Sequence, residues 1–297
     1  MATLWIIVML GLIGLALSVV SRDALNASRN RIGAIQAFWN AEDCIARAHL
    51  AADSAAHAGE GDPSLRAWEM VDILAAKELP YRRGVAWTLS FQPAGATLDL
   101  NTADTALLGR VMARLGLRQA NALVDALLDW RDGDDTLRPH GAERKWYIDA
   151  GRIPPRNGPL ADIRELRAVK GFEHLSGLDS VFGVRSGRVV INRAPLVVVG
   201  ALPGFGDEAV GRIADLRARG IWLTKLEDLE SDISPAAREE LIAHAEELAH
   251  VATMLPEEWI LTCRGTSAAS PVVVIVEERL ARSGRRVAVV HRRSWVE

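Results

Sequence analysis

The chain opens on an unbroken apolar run and becomes amphipathic only afterwards. Ala2–Val20, "ATLWIIVMLGLIGLALSVV", holds Thr3 and Ser18 as its only polar residues. At about 1.5 Å of rise per residue, a helical run of this length matches the hydrocarbon core of one bilayer. Helical spacing then continues through "DALNASRNRIGAIQAFWNAEDCIARAHLAADSAAHA", interrupted only by Gly33, until "GEGDP" at Gly59–Pro63. The pattern predicts one helix of roughly 55 residues, its first third in lipid and the rest in water. A cleaved secretory signal fits less well. No Lys or Arg precedes the run, and helical spacing persists where a cut site would start a new segment.

Past Pro63 an amphipathic helix is expected over Ser64–Glu78, ended by Pro80. "VAWTLSFQ" (Val85–Gln92) alternates, "PAG" turns, and "ATLDL" (Ala96–Leu100) returns, which predicts a hairpin. Helical periods with frequent Gly and Pro dominate from Asn101 to about Thr253. "EWILTCR", "PVVVIVEERLA" and "RRVAVVHRR" then read as three strands. A helical insertion into an α+β domain gives this order. The expected segments are a transmembrane part (1–21), a first folded part (22–100), an inserted α-domain (101–254) and C-terminal strands (255–297).

Within the insert, "LDLNTADTALLGRVMARLGL" (Leu98–Leu117) aligns weakly with "VVINRAPLVVVGALPGF" (Val189–Phe205). Both run apolar-x-Asn-x-Ala into a short helix and a Gly turn. The Asn101 amide or Thr102 hydroxyl is the expected cap of the first of these helices. "LPGFGDEAVGRIADLR" (Leu202–Arg217) has the form of a helix-hairpin-helix, whose Gly-x-Gly turn can present N–H groups to a phosphate. Charge argues against nucleic acid: residues 101–254 hold 20 Lys/Arg against 23 Asp/Glu, and the whole chain carries −3. The two cysteines, Cys44 and Cys263, form no CxxC or Cys/His cluster, which removes the usual zinc frameworks. No Gly-x-Ser-x-Gly or His-Glu-x-x-His pattern occurs, and no catalytic residue is assigned.

The densest chemistry lies in "LLDWRDGDDTLRPHGAERKWY" (Leu127–Tyr147), where Asp129, Asp132, Asp134 and Asp135 precede Glu143. With Asp132 as position 1 of an EF-hand, position 6 is Leu137, where the turn needs Gly, so this is no EF-hand. The residues alone leave two alternatives: an irregular calcium loop, or a solvated turn in which Asp132 or Asp134 caps a helix.

This stretch resembles the K-type minor pseudopilins of bacterial type II secretion systems. The family pattern resembles Leu-Leu-Asp-Trp-x-Asp-x-Asp-Asp-x-x-Arg-Pro-Asn-Gly-Ala-Glu. Here His140 replaces the Asn, and Arg144-Lys145 stand where acids are frequent. "LNTA" (Leu100–Ala103), "ELRAVKGF" and "INRAPLVVVGALPGF" are further landmarks. The resemblance implies an α+β pseudopilin fold: a long N-terminal transmembrane helix packed on a small antiparallel sheet, with a large inserted α-helical domain. It also implies a non-enzymatic tip subunit of the pseudopilus that supports assembly and export of folded proteins across the outer membrane. Its expected partners are the I- and J-type minor pseudopilins, the filament, inner-membrane lipid and secreted substrates. The competing reading is a membrane-anchored helix-hairpin-helix DNA-binding protein of competence type.

Arg22, Arg29 and Arg31 follow the apolar run, so charge bias alone would place the bulk of the chain in the cytoplasm. The family's short basic leader, removed by prepilin peptidase and absent here, would reverse that and make the bulk periplasmic. Most pseudopilins carry Glu near the mature N-terminus, whereas no acid precedes Asp23. A tip subunit has no neighbour above it to pair with such a buried carboxylate. Cys44 is expected to face the C-terminal sheet near Cys263, with the two thiols unbonded. Asp132, Asp134, Asp135 and Glu143 are the expected calcium ligands, bent together by Pro139 and Gly141 and backed by Trp130, Trp146 and Tyr147. The alternative is a loop held by Arg138 or Arg144 salt bridges.

Overall fold

The structure is a computed structural model and describes residues 2–57, 87–185, 187–230, 232–283 and 286–297. The helix expected at Ser64–Glu78 and its "GEGDP" lead-in lie outside these residues. The described chain forms two compact units. One comprises 2–57, 87–92 and 258–297; the other is Pro93–Glu257.

The first unit is one helix on one sheet. Helix α1 (Ala2–His57) is a single 56-residue helix that runs through Gly33, close to the length its spacing predicts. Among the described residues it is the one helix long and apolar enough to cross a membrane. Its apolar start projects bare, with Trp5, Ile7 and Leu10 exposed. Further along, Ala37, Ala41, Cys44, Ile45, Ala48 and Ala52 are buried, at spacings that trace one helical stripe. That stripe packs on a sheet of order β1-β6-β7-β8. Its strands are β1 (Trp87–Pro93), β6 (Glu258–Ser267), β7 (Ser270–Ser283) and β8 (Arg286–Val296). The β6–β7 and β7–β8 pairs are antiparallel. Leu261, Cys263, Val276 and Leu280 meet the helix stripe.

Small residues let helix and sheet approach backbone to backbone. A Cβ on Gly265 would stand 2.0 Å from the Ala37 carbonyl oxygen and 2.6 Å from the Ala41 nitrogen. Neither atom can swing aside, so Gly265→Ala must lift α1 from β6. We expect a loss of about 1–3 kcal/mol, read from urea unfolding of the full chain in detergent. A midpoint equal to wild type would contradict this packing. Glu278, only 3% exposed, is held from two sides, by a hydrogen bond with His49 on α1 and by an ion pair with Arg292 at 3.1 Å.

Cys44 and Cys263 do face each other, but the expectation of free thiols is corrected: they form a disulfide with Cα atoms 6.0 Å apart. The helix stripe points Cys44 at the sheet, and strand alternation turns Cys263 inward between Leu261 and Gly265. Buried stripes that must interlock leave the pair within bonding range.

The second unit begins before Asn101, and the predicted hairpin is replaced by another pairing. β1 joins β6 instead of the next segment. β2 (Leu98–Asp99) runs parallel to β3 (Phe182–Gly183), and β4 (Val189–Val190) parallel to β5 (Ala252–Thr253). The "PAG" turn is real, since Ala96 N donates to Pro93 O. It redirects the chain, however: Gly95, at φ +86, gives its carbonyl to Val190 N. Helices α2 (Thr105–Arg114) and α3 (Ala120–Arg131) cover a core containing Leu107, Leu108, Leu127, Tyr147, Phe172 and Ile191.

The cap of α2 is Asp104, whose Oδ1 accepts from Leu107 N at 2.7 Å, and neither Asn101 nor Thr102. Asn101 has a different task, and the internal repeat shows it twice. Its amide exchanges hydrogen bonds with the backbone of Leu160 at 3.0 and 2.8 Å. Asn192 does the same with Leu223 at 2.7 and 3.0 Å. Each repeat thus uses its Asn to fasten a distant loop by mimicking a backbone edge.

Candidate functional site

The acidic stretch starts on the last turn of α3 and ends at α4 (Arg144–Asp149). Asp129 is fully buried there. It is held by Arg138, whose Nη1 donates to Asp129 Oδ1 at 2.7 Å and also bonds Asp132 Oδ2. Arg138 N adds a contact to Asp129 Oδ2 at 3.3 Å. Both carboxylates raise the Arg138 pKa through these bonds. Gly141 is required at its place because a Cβ there would lie 1.9 Å from Asp129 Oδ2. Asp134 is exposed; its Oδ1 accepts from Thr136 N at 2.7 Å, and hydrogen bonds from the Thr136 side chain and then its backbone lower the Asp134 pKa.

Glu143 differs from the rest. It is 6% exposed, and neither carboxylate oxygen has a hydrogen-bond partner. Burial pushes its pKa up to about 7, with further pressure from Asp129, Asp132, Asp135 and Asp134 in that order. Asp132 Oδ1 is likewise buried without a partner. Beside them opens a cleft lined by Asp135, Glu143, Arg144, Lys145, Ile148 and Asp149. The aromatics form the expected backing. Tyr147 is buried and packs edge-on against Trp130 at 5.2 Å and Trp146 at 5.0 Å. Lys170 ties the backing to the loop: its N donates to Tyr147 OH at 3.0 Å and its Nζ to Gly141 O at 2.8 Å.

The predicted residues Asp132, Asp134, Asp135 and Glu143 therefore share one electrostatic neighbourhood, with Glu143 feeling all the aspartates. They are not arranged as a ready ligand set. Among the described residues, no three His, Cys, Asp or Glu side chains stand together so as to hold a metal ion. Arg138, and not Arg144, supplies the clamp. Sequence reasoning missed Asn157, whose Nδ2 donates to Asp134 O and Asp135 Oδ1, both at 3.0 Å. The only local signal for it was the Asn-Gly turn in "IPPRNGPL".

The helix-hairpin-helix segment is also formed, from α5 (Leu196–Val199) to α6 (Asp207–Ala218), with Gly204 at φ +74 in the turn. Its N-terminal turn carries Asp207 and Glu208. Those carboxylates occupy the favourable end of the helix dipole and repel a phosphate there.

A long apolar N-terminal helix on an antiparallel sheet, interrupted in sequence by a helical unit, defines a pseudopilin fold with an inserted α-domain. Residues 90–176 match the family model for type II secretion system (T2SS), protein K. A chain of the crystal structure of the GspK-GspI-GspJ complex from the enterotoxigenic Escherichia coli type 2 secretion system has a similar fold. Its TM-score is 0.62 at 18% identity, covering 88% of this chain and 96% of that one. Comparison with curated proteins gives no match. The family match and the shared fold together support a GspK-type minor pseudopilin, a structural component of type II secretion.

Proposed function

We propose that this chain is the tip subunit of a type II secretion pseudopilus, anchored in the inner membrane by α1 with its bulk in the periplasm. The observation that carries the reading is the helical unit of Pro93–Glu257, inserted in sequence between β1 and β6 of a pseudopilin sheet. A subunit with so large an insertion is hard to bury under a further subunit, so it suits the end of the filament. The disulfide supports the compartment, because such bonds persist outside the reducing cytoplasm.

In this reading the action is mechanical. The exposed apolar length of α1 packs among other pseudopilin helices, and the filament that grows beneath the tip supports export of folded proteins. The E. coli structure is a complex with GspI and GspJ, and we infer that the I- and J-type minor pseudopilins are this chain's direct partners. The full chain should co-purify from detergent with both of them. Elution as a free subunit in their presence would sink the proposal, and a shift of DNA in a gel at moderate salt would favour the competence-type alternative.

The acidic loop is proposed as a calcium-binding structural element. Buried carboxylate oxygens without partners, on Glu143 and Asp132, are the donors a hard cation takes. Glu143 and Asp132, with Asp135 and Asp134 from the same electrostatic neighbourhood, would be the residues that hold the ion. Bound calcium would turn the mutual repulsion of the acids into a cross-link. The chain's own part is to hold the loop: Arg138 neutralises Asp129, and Tyr147 with Trp130 shields the floor from water.

A further inference from the structure

The chain holds seven asparagines, and only Asn157 precedes a glycine. Asn26, Asn30 and Asn40 lie inside α1 and Asn121 inside α3. Asn101 and Asn192 sit in turns, but Thr102 and Arg193 follow them and put a side chain beside the next backbone nitrogen. The Asn157-Gly158 pair has neither protection. It lies on the loop after α4, with Asn157 at φ +51. Gly158 N–H donates no hydrogen bond among the described residues. A Cβ built on Gly158 would meet nothing within 4 Å, so no neighbour walls off its nitrogen. Only the Asn157 side chain is held. Its amide nitrogen donates to Asp134 O and Asp135 Oδ1, both at 3.0 Å. Its amide oxygen is buried and accepts nothing, so those two bonds alone fasten the group.

We propose that Asn157 is a site of spontaneous deamidation and that its two hydrogen bonds to the acidic loop are the brake on the reaction. The Gly158 nitrogen gives up its proton and attacks Asn157 Cγ. The new C–N bond closes a cyclic imide, and ammonia leaves with that proton. Water then opens the imide at either carbonyl, giving aspartate or isoaspartate. The sum is amide plus water to carboxylic acid plus ammonia, with no oxidant or reductant. Asparagine is thermolabile for this reason. Ring closure requires the amide to leave Asp134 and Asp135 and turn onto the Gly158 nitrogen, so each bond kept in the folded loop slows it. The product has lost both N–H donors and places a negative charge beside Asp135. The Asn157 loop is then repelled by the loop it had fastened.

The test incubates the full chain in detergent and chelator at pH 8. Peptide mapping by mass spectrometry, against aspartyl and isoaspartyl standards, reads conversion at each asparagine. Wild type should convert at Asn157 ahead of every other asparagine. Asp135→Ala removes one acceptor and should speed this conversion about fivefold. Asp135→Asn keeps an acceptor oxygen and should stay within about twofold of wild type. Gly158→Ala should slow it severalfold. The aged protein and Asn157→Asp should both melt below fresh wild type. Wild type that stays unconverted while an unfolded peptide of the same sequence converts completely overturns the site. Equal rates at Asn157 in wild type and Asp135→Ala overturn the brake. Acceleration at every asparagine in Asp135→Ala would mean general loosening and overturns the brake as well.

Discussion

Removing the disulfide with Cys44→Ala and Cys263→Ala together is expected to cost the helix–sheet unit about 2–5 kcal/mol. The bridge joins residues 219 apart in sequence, so its loss frees a very long loop in the unfolded state. The upper figure is the chain-entropy value for such a loop, on the order of 5 kcal/mol. The loop also contains the compact unit of Pro93–Glu257, which can keep the ends closer than a free chain and pull the effect below that value. Both sulfurs are fully buried between Leu261, Val276 and the α1 stripe. Alanine is the better replacement because a serine hydroxyl there would add an unpaired polar group. Urea unfolding of the full chain, with and without reductant, reads the effect. The fall should be confined to the helix–sheet transition if the two units unfold separately. Equal midpoints for wild type and the double variant, in oxidising buffer, would mean that the native thiols are unbonded.

The second large effect concerns Glu143 and pH. Its folded pKa of about 7 stands above the ordinary 4.5, chiefly through burial and then through the four aspartates. Between those values the folded chain holds a proton that the unfolded chain has released. The associated stability is therefore complete below pH 4.5 and is lost as pH rises through 7. The full span amounts to about 3 kcal/mol. Glu143→Gln keeps the shape and cannot ionise, so the difference between wild type and variant isolates this group. In chelator the variant should become the more stable of the two as pH rises from 5 to 8. At pH 8, calcium should raise the melting temperature of wild type more than that of the variant. A difference that stays flat across this range would show that Glu143 has an ordinary pKa and that its carboxylate is solvated or paired.

The residues of the acidic loop were legible as a group because they lie within one stretch, and local charge density needs no fold to be seen. What they do to one another was not. Asp129 reads as one more acid in the row, yet it is fully buried, clamped by Arg138 and pressed on Gly141. Glu143 reads as one of four like ligands, yet it is the carboxylate with neither oxygen partnered. Asn157 falls outside the stretch and joins it only in three dimensions.

The same division runs through the fold. Periodicity alone determined α1 and the three C-terminal strands, since a 3.6-residue stripe or a two-residue alternation is written along the chain itself. It determined Asn101 and Asn192 as equivalents as well, because a repeat preserves spacing. The partner of each strand was decided only by tertiary structure. β2 has the alternation of a hairpin arm, but a two-residue strand gains little from its sequence neighbour and takes the edge that the second unit's core offers, at Phe182–Gly183. The disulfide was decided in the same way. Sequence set the faces on which Cys44 and Cys263 lie, and the backbone approach at Gly265 brought those faces within bonding range. Local patterns fix which side of an element is apolar; which two apolar sides meet is a property of the whole packed core, where distant residues compete for the same contact.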